Sequence, residues 1–139
     1  MDDTEHLIGL ATEVRKHAHA PYSGFLVGAA LRTASGKTFV GCNVENVPLG
    51  LTMCAEQCAL ANAISAGETT LSSIAIVADS ALPPMPCGRC RQILAEFNSD
   101  LDIITGTING RSERFRLSDL LPKPKQGILE SKQNVSNPE

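Results

Sequence analysis

Two short segments concentrate the residue types that hold and activate a metal ion. Cys54-Ala55-Glu56 and Pro86-Cys87-Gly88-Arg89-Cys90 together offer three thiols and a carboxylate. Each segment follows a loop and opens a stretch of helical pattern. Free backbone N–H groups and the positive end of a helix dipole meet there, and both favour thiolate over thiol. Thiolate is the form that binds zinc, and three such ligands leave a tetrahedral Zn(II) one open position, the arrangement of a catalytic site. Glu56 stands two positions from Cys54. Side chains at that spacing diverge on a regular helix, but at a helix start Cys54 can leave the helical path and both can approach one metal. Glu56 then hydrogen-bonds the metal's water and moves its proton without being a ligand.

The same residues admit plainer readings. Cys87 and Cys90 alone fit a structural half-site, a redox pair or two core thiols. Cys58 lies one helical turn after Cys54, so Cys54, Cys58, Cys87 and Cys90 could close a four-sulfur zinc module without catalysis, leaving Glu56 a surface residue. A redox reading of Cys87-Gly88-Arg89-Cys90 is weaker, because the motif comes late and follows a three-proline loop. Cys42 and Cys58 read as buried small hydrophobes, and His6, His17 and His19 as surface residues of the first helix.

The chain has 139 residues, enough for one domain. Hydrophobic residues at 42% and charged residues at 19% exclude global disorder. Twelve Lys plus Arg against fifteen Asp plus Glu leave a net charge of -3, which argues against gripping a nucleic-acid backbone. No stretch approaches the roughly 18 apolar residues of a membrane span, and the acidic start lacks the pattern of a secretory signal. Five cysteines, an odd number, argue against a disulfide scaffold. The expectation is a cytoplasmic protein with one domain over residues 1–121 and a polar, flexible tail over 122–139. Without Trp, aliphatic residues must build a modest core, which association between copies would supplement.

The elements that must position the cysteines follow from hydrophobic spacing. The pattern predicts a helix over 4–19, a hairpin of strands over 25–33 and 38–45, and a helix over 54–66 stopped by Gly67. A buried strand over 73–78, a helix over 87–97, a strand over 101–107 and a helical turn over 118–121 complete the series. Strand-helix-strand order favours an α/β fold, a three-layer α-β-α sandwich around a mixed sheet of about five strands.

Taken in order, YSGFLVGAAL (22–31), GCNVEN (41–46), CAE (54–56) and PCGRCRQIL (86–94) resemble the cytidine deaminases of the small kind with three cysteine ligands. The resemblance implies one Zn(II) per chain on Cys54, Cys87 and Cys90. Zinc-bound hydroxide would attack C4 of the cytosine ring, with Glu56 carrying the proton to N3 and then to the departing amino group. Asn43 and Glu45 match residues that bind the ribose hydroxyls; on a strand they would share a face, and a solvated strand face explains them equally well. Phe25 matches an aromatic packed on the pyrimidine and otherwise reads as core, while the backbone at Ala55 would touch the base edge. The resemblance further implies cytidine and deoxycytidine as substrates, pyrimidine salvage in the cytoplasm, and a homotetramer whose active sites are completed by neighbouring chains. A polynucleotide-editing deaminase would need a basic, aromatic surface that this acidic chain lacks.

Three positions depart from the family pattern. Gln57 stands where an Arg often follows the catalytic Glu, so Arg89, Arg91 or backbone N–H groups must offset the thiolates. Both arginines fit surface or subunit-interface pairing as well. Leu49 and the Lys123-Pro124-Lys125 stretch stand where aromatics often frame the substrate. A more open pocket would follow, and with it the alternative reading of a deaminase for modified cytosine nucleosides, N4-substituted or antibiotic.

Overall fold

The computed structural model describes residues 3–125. Five strands form one mixed sheet in the order β2-β1-β3-β4-β5. They are β1 (Val27–Thr33), β2 (Thr38–Cys42), β3 (Leu71–Ala78), β4 (Asp102–Thr107) and β5 (Ser112–Arg116). Only the β3–β4 pair is parallel; β1–β2, β1–β3 and β4–β5 run antiparallel. Parallel neighbours need a crossover, and α3 (Gly88–Ala95) supplies it.

Helices cover both faces. On one, α1 (Asp3–Arg15) buries Leu7 and Ala11 against Ala30, Ala75, Val77 and Ile104. On the other, α2 (Ala55–Ser65), α3 and the short α4 (Leu117–Leu120) pack over Ala29, Leu31, Ile74, Ile76 and Ile103. Successive residues of β3 therefore point into different cores, which is why its sequence is apolar almost throughout. Full burial of Ile74 and Ile76 contributes roughly 1.5–3 kcal/mol each. The expected α/β three-layer sandwich is the observed fold.

Close backbone approach seats α2 on the sheet. A Cβ at Gly41 on β2 would overlap the backbone of Ala55 and Ala59 in α2. Glycine here lets the first turn of α2, with Ala55 and Glu56, lie directly on β2.

The boundaries differ from the sequence expectation for identifiable reasons. The first helix ends at Arg15 because the chain at His19 turns to pair with Val44; the His19 N–H donates to the Asn43 carbonyl at 2.9 Å. β2 ends at Cys42, where the Asn43 side chain takes over from the ladder: its Oδ1 accepts the Val27 N–H at 2.9 Å. β5 was not anticipated as an element. It is a polar edge strand, and Phe115 is its single residue packed against the core. Of the expected tail, residues 122–125 lie beside α3, where the Gln92 amide donates to the Pro124 carbonyl at 3.2 Å. Residues 126–139 lie outside the described residues. No helix among the described residues is long and apolar enough to cross a membrane.

Candidate active site

Cys54 and Cys87 are both N-cap residues, of α2 and α3, with extended backbone at ψ 156° and 165°. Cys54 thus leaves the helical path, as its spacing from Glu56 requires. Cys87 sits on the loop that leaves the carboxyl end of β3, the place where open α/β sheets build their sites. Cys90 follows one turn into α3, and its N–H donates to the Cys87 sulfur at 3.4 Å.

The sulfur atoms of Cys54, Cys87 and Cys90 all lie within 4.8 Å of one another, and those of Cys54 and Cys87 are 3.9 Å apart. Tetrahedral ligands at the usual zinc–sulfur distance of about 2.3 Å stand roughly 3.8 Å from each other. The donor set and its spacing therefore fit zinc. Cys58 does not join the cluster; it faces β2, with its Cβ against Gly41, and burial raises its thiol above the ordinary value. The closed four-sulfur module is thus not what the fold builds.

Hydrogen bonds from Cys90, Arg89 and Cys87, with the Arg89 charge, bring the Cys54 thiol down to about 5 against the opposing effect of burial. Cys90 is fully buried, and its hydrogen bond with Cys54 together with that burial raises its thiol above the ordinary value. Glu56 is 6% exposed, and burial, helped by the Cys54 charge, pushes its carboxyl up to about 7. A carboxyl so placed exchanges protons readily near neutral pH, the property of a general acid and base.

Phe25, Asn43, Cys54, Ala55, Glu56 and Cys87 border one cavity of about 230 Å³. Val27, Ile76, Pro84 and Met85 complete an apolar wall around it. Those four escaped the sequence reading, although the proline-rich run just before Cys87 marked the loop that carries Pro84 and Met85. A larger groove of about 400 Å³ lies along β5, between Asp102, Arg114 and Arg116. Its Asp102 and Arg114 are ion-paired at 3.1 Å, whereas the sulfur cluster and Glu56 make the smaller cavity the candidate site.

Asn43 and Glu45 lie beyond the end of β2, so the shared strand face expected of them is absent. Both side chains reach instead to the segment 22–27. Asn43 receives the Val27 N–H and donates from Nδ2 to the Phe25 carbonyl, each at 2.9 Å. Glu45 accepts the N–H groups of Tyr22 and Ser23 at 3.1 Å and the Ser23 hydroxyl, which holds its carboxyl below the ordinary range. Asn43 borders the cavity and Glu45 does not.

The two arginines separate clearly. Arg91 donates to the carbonyls of Pro86 at 2.8 Å and Leu120 at 3.1 Å, so it braces backbone. Arg89 points to the start of α2, with Nη2 at 2.7 Å from the Thr52 carbonyl and 4.0 Å from the Cys54 sulfur. Leu49 is exposed, and the Lys125 ammonium reaches the Glu96 carbonyl at 3.5 Å; neither borders the cavity of a single chain.

Residues 1–106 match the model of the cytidine and deoxycytidylate deaminase zinc-binding region. The chain belongs to that family. It is 43% identical to a cytidine deaminase of Halalkalibacterium halodurans over 121 residues, 86% of this chain and 92% of the relative. It is 45% identical to the cytidine deaminase of Mycobacterium tuberculosis over 121 residues, 86% of this chain and 87% of the relative. The crystal structure of the cytidine deaminase from Burkholderia pseudomallei superposes with a TM-score of 0.84 at 42% identity, covering 88% of this chain and 98% of that one. Zinc is accordingly the metal of this family's site, with Cys54, Cys87 and Cys90 as its candidate ligands.

Proposed function

We propose that this chain catalyses the hydrolytic deamination of cytidine and deoxycytidine, giving uridine or deoxyuridine and ammonia. The observation that carries the reading is a buried Glu56 bordering the same cavity as three sulfurs at zinc spacing. When bound by Cys54, Cys87 and Cys90, zinc supplies the Lewis acidity that makes a water nucleophilic at neutral pH. Glu56 accepts that water's proton and delivers it to N3 of the ring as the oxygen bonds to C4. It then takes the proton of the new C4 hydroxyl and passes it to the amino nitrogen, so that the C4–N4 bond breaks, ammonia leaves and C4 becomes a carbonyl. A carboxyl whose ordinary value has been raised toward neutrality suits both directions of transfer.

The apolar wall of Phe25, Ile76 and Met85 suits a flat pyrimidine, and burial next to it dries the reacting centre. Ala55, buried at the first turn of α2, would present backbone to the base edge. Asn43 retains one lone pair and one N–H beyond its bonds to 25–27, enough to meet a ribose hydroxyl, with Glu45 beside it.

We further read residues 1–121 as one catalytic domain that works as a homotetramer in cytoplasmic pyrimidine salvage. Exposed Val47, Leu49, Leu51 and Met53 beside the site support association between copies. Five free thiols suit a reducing compartment. Zinc-quantified protein should consume cytidine and deoxycytidine in an ultraviolet assay; fully loaded protein that is inert toward both would overturn the reading.

A further inference from the structure

Three thiolates on a divalent cation leave a net negative charge, to which Glu56 adds. The residue after Glu56, Gln57, is neutral. The one guanidinium that reaches a ligand sulfur among the described residues comes from the other ligand-bearing helix. Arg89 Nη2 lies 4.0 Å from Cys54 Sγ, 3.3 Å from Gln57 Oε1 and 2.7 Å from the Thr52 carbonyl. All three acceptors belong to the start of α2 and the loop before it, while Arg89 itself sits between Cys87 and Cys90 on α3. Gln57 completes the arrangement, because the same Oε1 accepts the Cys54 N–H at 2.8 Å. Gln57 thus acts as an acceptor for the cation and does not replace it.

We propose that Arg89 is a positioning residue for the metal, supplying the positive charge that offsets the thiolates while tying the Cys54 loop to the α3 ligand pair. The inference rests on the reading of Cys54, Cys87 and Cys90 as zinc ligands. No ion pair among the described residues engages Arg89, so its charge is not spent on a carboxylate. Arg91 is directed elsewhere, its Nε and Nη1 donating to the Pro86 and Leu120 carbonyls. Arg89 is exposed, so solvent screens its charge, and its effect belongs in the range of residues that support metal ligands, about 10- to 100-fold in affinity.

The test compares zinc retention against a chromophoric chelator for the wild type, Arg89→Lys and Arg89→Gln. Lysine keeps the charge without the fork; glutamine keeps an N–H donor without the charge. Arg89→Gln should release zinc about 10- to 100-fold more readily, and Arg89→Lys should stay within a few-fold of the wild type. Thermal unfolding of the metal-free proteins should coincide, and saturating Co(II) should give all three the same sulfur-to-metal charge-transfer band. Arg89→Gln holding zinc as tightly as the wild type would overturn the proposal, as would Arg89→Lys losing it as readily as Arg89→Gln. Wild-type protein that takes up no zinc would instead overturn the reading of the site itself.

Discussion

The sulfurs of Cys54 and Cys87 lie 3.9 Å apart although 33 positions separate them in the chain. They meet because each residue caps a helix packed on the same sheet face, one helix seated over β2 and the other entering from the end of β3. Glu56, the proposed proton carrier, rides on the first of these helices, so the candidate metal ligands and acid–base group are fixed by one packing arrangement.

Glu56→Gln should separate metal binding from chemistry. The amide is isosteric and no longer exchanges the proton, so zinc content should remain that of the wild type. Turnover should fall by about 10²–10⁴-fold or more. Metal analysis beside the ultraviolet assay checks both, and an active variant would refute the role given to this carboxyl.

Cys58 lies outside the sulfur cluster and packs against β2. Cys58→Ala should therefore retain one zinc per chain and near wild-type turnover, while Cys90→Ala should lose the metal. Loss of zinc from the Cys58 variant would restore the four-sulfur module.

Gly41→Ala places a methyl group into the backbone of Ala55 and Ala59. Neither backbone can move without shifting the start of α2, so stability should fall by about 1–3 kcal/mol. Activity should fall as well, because Cys54 and Glu56 ride on that turn. Chemical denaturation with a turnover assay below the melting range separates the two effects.

Glu68 links the hairpin turn to the end of α2, accepting the Thr33 and Ser35 hydroxyls at 2.7 and 2.6 Å, with Lys37 at 3.9 Å. The Ser35 and Thr33 bonds hold its carboxyl below the ordinary 4.5. A depressed folded value contributes stability above the ordinary one and loses it as pH falls through the folded one. Glu68→Gln should accordingly lower stability at pH 7 and matter little once the wild-type carboxyl is protonated. Unfolding curves taken at neutral pH and well below pH 4.5 should converge in the acid; an equal gap at both would count against the link.

Element by element, legibility tracked burial. β3 was readable because both its faces are covered and its residues are apolar almost throughout. β5 was not, since its side chains are mostly exposed and its pairing with β4 is made by backbone. The helix starts at Cys54 and Cys87 were readable from loop composition and the thiols themselves. The end of α1 was not, because it is decided by a backbone pairing at His19 with residues far along the chain.

Residue chemistry and short-range spacing alone determined that two helix starts carry thiols, that a carboxylate accompanies one of them, and that alternating strands and helices build the sheet. Those features are local: a cap, a hydrophobic period or a neighbouring charge needs only a few adjacent residues. Tertiary structure decided which three of the five thiols converge, and that Arg89 turns to the sulfur while Arg91 braces carbonyls. It also decided that Asn43 and Glu45 hold the 22–27 segment from beyond a strand end. Such choices depend on side-chain directions between elements tens of residues apart, which are set only when those elements pack.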